Sequence, residues 1–178
     1  MSHLTSAAWI AHDLGLATTI GGTLFGQGAL HPALRERLHD DQQSMLVADA
    51  AWRRFSWLNL AAHAAFAATW LVGRSMLSGR EVSKTGRTLT RVKDGLVIAS
   101  LITGISSIVL GRVLGKKMRA RERGNADQDA EIARLRKAVS KLGKLNLLAT
   151  AGIGAVTTGL SMEASKSLPF SYVSRRLP

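Results

Sequence analysis

Four long stretches of the chain contain no Asp, Glu, Lys or Arg, and nearly all of the charge lies between them. The stretches cover residues 14–34, 55–73, 95–111 and 145–162, and they hold 21, 19, 17 and 18 residues. A helix needs about 20 apolar residues, with a range of roughly 17 to 25, to cross the hydrocarbon of a bilayer. The pattern therefore predicts an all-α integral membrane bundle of four transmembrane helices over about 7–31, 54–74, 94–115 and 144–164, in a single domain covering 1–178.

The connection between the third and fourth stretches is long enough to form a helix. Ile132, Leu135, Val139 and Leu142 alternate spacings of three and four, the stripe of a short coiled coil. We therefore predict a charged, amphipathic linker helix over about 130–144 on the cytoplasmic side. Packing as a hairpin on the third helix, or docking on the membrane surface, explains the stripe equally well. The first span is predicted to end before Pro32, because the residue preceding a proline is disfavoured in helical geometry.

Basic residues are distributed unevenly among the connections, and this bias predicts the orientation. The chain carries 24 Lys and Arg against 12 Asp and Glu, a net charge of +12. With the N-terminus outside, 15 basic residues face the cytoplasm and 9 face outward. Because cytoplasmic loops of membrane proteins are rich in Lys and Arg, we predict that both termini lie outside. The chain has no cysteine, which excludes disulfide and thiol chemistry.

Small residues recur at helical spacing on three of the predicted spans. Residues three or four apart share a helix face, and small residues there let a neighbouring backbone approach closely in lipid. The residues that predict this tight packing are Gly22 and Gly26 in the first span, Thr103, Ser107, Gly111 and Gly115 in the third, and Ala151, Ala155 and Gly159 in the fourth.

Asn59 and His63 lie on one helix face in the interior of the second predicted span. Unpaired polar groups are costly in hydrocarbon, so both side chains are expected to face the bundle. They are the best candidates for an interior polar site, and Asn146 and Gln27 could be among their partners. The alternative is that they only supply hydrogen bonds between helices.

A second group of ionisable residues is predicted at the outer boundary of the membrane. His12 and Asp13 lie in the outer turn of the first span, and Glu163 lies at the end of the fourth. Three more residues are expected at that boundary: Arg74, Lys93 and Asp94. Because charges in membrane proteins seek one another or the headgroups, this grouping favours an interfacial ion-pair network. A proton-transfer or ligand site is the alternative.

Basic residues also cluster just after the third span, at Arg112, Lys116, Lys117, Arg119, Arg121 and Arg123. Beside a membrane, such a cluster is expected to contact anionic lipid, which attracts each basic residue by about 1 kcal/mol. No nucleic-acid-binding fold accompanies it, so no nucleic acid partner is expected. No metal or cofactor is expected either, since His12 and His63, the histidines available to ligate haem, lie at different depths.

The first half of the chain resembles a bacterial membrane family, domain of unknown function 4149, which is similar to eukaryotic transmembrane protein 205. The resemblance rests on the Gly-rich Gly21–Phe25 followed by Pro32–Leu34, and on the basic and aromatic stretch Trp52–Leu60. Lys141–Leu148 also resembles the beginning of the last helix in that family. The resemblance implies a four-helix fold in the bacterial inner membrane, and it implies no established activity.

Absence of any complete catalytic motif favours a non-enzymatic role. The small-residue faces and the helical stripe predict an accessory or scaffold subunit of a membrane complex, or a homo-oligomer, with other membrane chains or itself as partner. The alternative is a small transporter or channel-like protein in which Asn59, His63 and Asp13 line a polar route. A membrane redox or haem protein is the least favoured interpretation.

Overall fold

The computed structural model is built of long helices. It describes residues 3–75, 83–122, 129–164 and 166, and the side chains among them except those of 3–5, 41–42 and 121–122. The helices are α1 (His3–Phe25), α2 (His31–Arg37), α3 (Asp41–Ser75), α4 (Lys84–Glu122) and α5 (Asp129–Ala164), and a π-helical turn (Gly26–Leu30) joins α1 to α2.

Two pairs of antiparallel helices make up the bundle. α1 packs along α3, and α4 packs along α5 over a still longer interface. Smaller contacts between α3 and α4 and between α1 and α5 close the ring. The end at which α1 begins and α5 ends is named the terminal end. The opposite end, where α2 leads into α3 and α4 ends, is named the basic end.

The apolar core lies in the half of the bundle nearest the terminal end. Phe66 and Trp70 of α3, Val97 of α4 and Ile153 of α5 are all 0–1% exposed, and Leu16 of α1 completes the cluster. Because the large rings are concentrated at this level, the other half of the bundle is left less densely filled.

Within the described part of the chain, three helical segments are long and apolar enough to cross a membrane, over Gln43–Ser75, Lys84–Ala120 and Asp129–Ala164. Only 17–28% of the residues in their most apolar windows are buried inside the bundle. Trp57, Leu58, Ile102 and Leu148 are among the large apolar side chains that point outward. An apolar outer surface on helices of this length indicates lipid, so the chain is a membrane protein. The predicted first span is not among the three segments.

The first helix does not end at Pro32, contrary to the sequence prediction. The backbone widens into the π turn, where the His31 N–H donates to the Gly26 carbonyl, and then continues as α2 through Pro32 to Arg37. Proline lacks an N–H group and its ring crowds the preceding turn of an α-helix. A π turn accommodates that crowding without ending the rod, and such turns are frequent at functional sites.

The linker predicted over 130–144 is helical, but it is the first half of α5 and continues without a break into the last apolar run. Its apolar stripe turns toward the bundle, since Ile132 is 5% exposed and Val139 is half-buried. An ion pair between Lys117 of α4 and Glu131 of α5, at 2.7 Å, joins the two helices at this level. The stripe therefore packs within the chain as a hairpin.

The small-residue faces of the first and third predicted spans are used inside the chain. A Cβ atom at Gly22 would overlap the ring of Phe55, and one at Gly26 would overlap the ring of Trp52. On α4, a Cβ atom at Gly115 would overlap the Asp49 carboxylate. These positions explain how aromatic side chains of α3 fit against α1. They are not available to a second chain.

Gly22→Ala is expected to lower the free energy of unfolding by about 1 kcal/mol, because the ring of Phe55 must move to make room for the added methyl group. Overpacking of a core typically costs about 1–3 kcal/mol, and this value is at the lower limit of that range. Gly21→Ala is the matched control, because a Cβ atom there meets nothing within 4 Å. Alanine has a higher helix propensity than glycine, so the control substitution should be neutral or stabilising. Circular dichroism during denaturation in mild detergent measures both. Equal effects of the two substitutions would contradict the α1 packing.

Candidate functional site

A cavity of about 330 Å³ lies between the two helix pairs. Every helix contributes to its wall, and the lining residues fall on the half of each helix nearest the basic end. The cavity begins at the level of Asn59 on α3 and Asn146 on α5 and extends to Arg35 on α2 and Arg136 on α5. Its volume is within the range of small-molecule sites, which is about 300–1,000 Å³.

The floor of the cavity is a hydrogen-bond network centred on the side chain of Asn146. Its Oδ1 accepts from Ser100 Oγ at 3.0 Å and from Thr103 Oγ1 at 3.3 Å, and it lies 3.2 Å from His63 Nε2. Asn146 is only 4% exposed. The network therefore ties α3, α4 and α5 together at one depth, where the polar floor meets the apolar core.

His63 lies directly beneath this floor and does not line the cavity. Its ring is 1% exposed, and Nδ1 lies 2.8 Å from the backbone oxygen of Asn59. The ring packs against Phe66, and Gly104 on α4 provides the space for it, because a Cβ atom there would meet the imidazole. Asn59 does line the cavity, and its Oδ1 is buried with no hydrogen-bond partner in the described structure.

The mouth of the cavity is positively charged. Arg35 and Arg136 line it and are exposed, and neither guanidinium has an acidic partner among the residues described. The nearest contact of Arg136 is a weak one, from Nη1 to Met45 Sδ at 3.8 Å. Arg35 and Arg136 thus line one cavity without an acidic partner in the described part of the chain, and arginine side chains are well suited to bind oxyanions.

Asp49 partly offsets the positive charge on the opposite wall of the cavity. Its carboxylate accepts from Arg53 at 3.3 Å and from Arg119, so it joins α3 to the end of α4. Gly115 leaves room for this carboxylate. Arg112 also lines the cavity, and its guanidinium lies 5.2 Å from the ring centroid of Trp57. Asp49 is thus already engaged, whereas Arg35 and Arg136 are not.

A separate polar cluster occupies the terminal end. Trp70 Nε1 donates to Asp94 Oδ1 at 2.9 Å, Arg74 Nε donates to Asp94 Oδ2 at 3.1 Å, and Lys93 Nζ lies 4.1 Å from the centroid of the Trp70 ring. Lys93 and Trp70 are both 0% exposed. The cluster thus brings together Arg74, Lys93 and Asp94 around Trp70, which belongs to the core.

The other residues predicted at this boundary have separate contacts. His12 is 0% exposed, its Nδ1 lies 3.0 Å from the Phe66 backbone oxygen, and its Nε2 has no partner in the described structure. Asp13 is exposed. Glu163 accepts from Ser83 Oγ at 2.9 Å and from Lys166 Nζ at 3.1 Å. No group of three His, Asp or Glu side chains converges as metal ligands within the described residues. Neither His12 nor Asp13 is among the residues that line the cavity.

Two of the residues expected to contact lipid are engaged within the chain. Lys117 pairs with Glu131, and Arg119 pairs with Asp49. Arg112 and Lys116 are exposed. The side chain of Arg121 and the whole of Arg123 lie outside the described residues. The basic cluster thus serves partly to join α4 to its neighbours.

Sequence reasoning misses the mouth of the cavity and part of its floor. Arg35 and Arg136 are far apart in the chain, and neither forms a motif. Ser100 lies among other small polar residues, and the spacing of Thr103 predicts only a packing role. The one signal in the sequence is the depth shared by Asn59, His63 and Asn146, which does suggest that the helices meet there.

Comparison with known family models, curated proteins and solved structures finds no match to this chain. The site must therefore be interpreted from its own chemistry.

Proposed function

We propose that this protein is a non-enzymatic membrane protein of the small-transporter type that binds an oxyanion in the cavity between its helix pairs. The observation that carries the proposal is the pair Arg35 and Arg136, which lines the cavity mouth without an acidic partner among the described residues. Leaving like charges together costs free energy unless a counter-charge binds. Below them, Asn59 and Asn146 provide polar contacts for the rest of the ligand.

The shape of the cavity favours access from one side. Its lining ends at the level of Asn59 and Asn146, and Phe66 and Trp70 fill the bundle beyond. Passage across the membrane therefore requires the two helix pairs to separate at the terminal end. Their limited mutual contact, between α3 and α4 and between α1 and α5, supports such a motion.

The membrane arrangement is part of the proposal. We infer that α1 forms a fourth span, because Ile10, Leu14, Leu24 and Phe25 project outward from it as an apolar surface. The charge bias supports a basic end in the cytoplasm of a bacterium and both termini outside. Because the chain has no cysteine, a single cysteine at exposed Glu36 should react with a polar maleimide only from the cytoplasmic side. Labelling from the outside would show that the chain has the opposite orientation.

Removing both mouth arginines, as Arg35→Gln with Arg136→Gln, is expected to weaken sulfate or glycerol 3-phosphate binding by at least about tenfold. Isothermal titration of the protein in detergent measures the affinity for each anion. A second arm measures phosphatidylglycerol retained on purification by mass spectrometry. Loss of lipid retention without measurable binding of the soluble anions would identify the ligand as a lipid headgroup.

The matched control removes the same charge two residues away in each helix. Arg37→Gln with Arg134→Gln changes exposed arginines of α2 and α5 that do not line the cavity. General attraction of anions to the basic end falls equally in both double variants. Equal losses in both double variants, or an unaltered protein that neither binds the soluble anions nor retains phosphatidylglycerol, would overturn the proposed function.

An accessory or scaffold role is the second candidate. Ala151 and Ala155 of α5 remain exposed and form a small-residue face that the chain does not cover. Native mass measurement in mild detergent distinguishes the roles. A stable complex whose partner crosslinks to a cysteine at Ala155 would favour the scaffold, and a monomer with no retained chain would exclude it.

A further inference from the structure

One exposed face of α4 changes from apolar to basic toward the basic end. The residues at helical spacing on this face are all exposed: Ile105, Val109, Arg112, Val113 and Lys116. Ile105 and Val109 belong to the third uncharged run, whereas Arg112 and Lys116 follow its end. The face therefore presents an apolar surface to lipid and, further along the helix, two positive charges.

Trp57 of α3 lies beside this face at the level where it becomes basic. Its ring is 67% exposed, and the guanidinium carbon of Arg112 lies 5.2 Å from the ring centroid. A guanidinium within about 6 Å of an indole centroid is attracted by a cation–π interaction. That interaction uses no hydrogen bond, so the N–H donors of Arg112 stay available to an acceptor. Tryptophan itself favours the level of the lipid headgroups.

The positive charge on this surface is not compensated within the described part of the chain. Lys117 and Arg119, the neighbouring basic residues of α4, form ion pairs with α5 and α3. Arg112 and Lys116, by contrast, have no acidic partner among the described residues. An anionic phospholipid combines a phosphate with apolar chains, and this surface combines cations with an apolar face at matching positions. The charge complementarity therefore favours a lipid as the occupant.

We propose that an anionic phospholipid docks on this surface of α3 and α4. Arg112 and Lys116 hold its phosphate, and Trp57 lies beside its glycerol backbone. An acyl chain extends along Ile105 and Val109 toward the middle of the membrane. This docking site goes beyond the proposed function, because it lies on the outside of the bundle and does not need the arginines of the cavity mouth.

Arg112 places the docked lipid next to the cavity, since this residue also lines the cavity wall. A lipid on the outer surface must therefore be distinguished from a lipid headgroup bound at the mouth. Trp57 does not line the cavity, so its ring reports on the outer surface. A measurement at Trp57 thus separates the two positions.

Quenching of Trp57 fluorescence by brominated lipid tests the proposal, because bromine on an acyl chain quenches an indole only at close range. Vesicles contain phosphatidylglycerol and phosphatidylcholine in equal amounts, with bromine on one lipid or on the other. The same measurement on Trp57→Phe subtracts the quenching of the other tryptophans. The preference for phosphatidylglycerol at Trp57 should be at least about fivefold, the size expected for one basic residue near an anionic lipid. In the surface variant, Arg112→Gln with Lys116→Gln, the two lipids should quench almost equally.

The matched control is Arg37→Gln with Arg134→Gln, which removes the same charge from exposed positions of α2 and α5 and should keep the preference. Equal losses in the surface variant and in this control would show general attraction of anionic lipid to the basic end, and would overturn the site. A preference that persists in the surface variant and disappears in Arg35→Gln with Arg136→Gln would place the lipid at the mouth. That result would overturn the docking site and leave the proposed function standing.

The native chain carries a readout of its own, even if a variant does not fold. Equal quenching of Trp57 by the two brominated lipids would overturn the site. Quenching by neither lipid would also overturn it, because a protein surface, such as a second copy of this chain, would then cover Trp57. A preference for phosphatidylglycerol in a chain that binds no soluble anion would support the docking site independently of the cavity.

Discussion

Asn146→Leu is expected to lower the free energy of unfolding by about 2 kcal/mol, although leucine is the more apolar residue in a membrane. The substitution removes the acceptor of the Ser100 hydroxyl and the partner of His63 Nε2, while the Thr103 hydroxyl keeps its shorter bond to the Ala99 carbonyl at 2.7 Å. Leaving buried polar groups without a partner costs roughly 1–3 kcal/mol. Reversible unfolding in mixed micelles, followed by circular dichroism, measures the change.

The control for Asn146→Leu is Thr158→Val on the same helix. Thr158 is exposed, and its hydroxyl bonds only to the Gly154 carbonyl one turn earlier, so its loss should have little effect. A double substitution with His63→Phe tests the network further. If His63 and Asn146 interact as observed, the effects of the two substitutions should not add. Strict additivity would show that the network does not connect α3 to α5.

The membrane character of the chain could be predicted from the sequence because helices of soluble proteins seldom carry uncharged runs of this length. The runs around Phe66, Ile102 and Ile153 all fall within helices that are apolar enough to span a bilayer. The first predicted span is less decisive, since Gly, Thr, His12 and Asp13 lower its mean hydropathy. The predicted end at Pro32 is wrong because a local rule for proline does not include the π turn, which depends on the surrounding backbone.

The site was predictable only in part, for a physical reason. Polar residues inside a span must face the bundle, so Asn59, His63 and Asn146 could be placed at one depth from the sequence. The mouth depends instead on how two helix pairs meet. Arg35 on α2 and Arg136 on α5 line the same cavity although about a hundred residues separate them in the chain, and α2 reaches it because the π turn carries the helix past Pro32.

The two ends of the bundle use charge in opposite ways. At the basic end, Arg35 and Arg136 have no acidic partner among the described residues and border a cavity. At the terminal end, Arg74 and Trp70 donate to Asp94, and Lys93 lies against the buried Trp70 indole. A paired cluster resists opening, whereas an uncompensated one favours a ligand. Under the proposed function, the terminal cluster is the closure that passage across the membrane must break.

Asp94→Ala is expected to lower the free energy of unfolding by about 3 kcal/mol. It removes the acceptor of the buried Trp70 N–H and the counter-charge of Arg74, and it leaves the fully buried Lys93 with less compensation. A partly exposed ion pair contributes up to about 1 kcal/mol, since Arg74 and Asp94 are each about a third exposed, and leaving the buried Trp70 N–H without an acceptor costs roughly 1–3 kcal/mol more. Asp94→Asn keeps an acceptor for Trp70, so its difference from the native chain isolates the charge, and its difference from Asp94→Ala isolates the acceptor.

Lys93→Met separates the two contributions further. A buried charge replaced by an apolar chain of similar length is often neutral or stabilising, so this variant should lose little stability. In the Lys93→Met background, Asp94→Ala should then cost less than in the native chain. The reason is that this background contains no buried positive charge for the removal of Asp94 to leave less compensated. Arg91→Met, an exposed residue two positions earlier on α4, is the control for loss of positive charge. If Asp94→Ala costs the same in both backgrounds, Lys93 does not depend on Asp94, and the terminal closure consists of the Trp70 and Arg74 contacts alone.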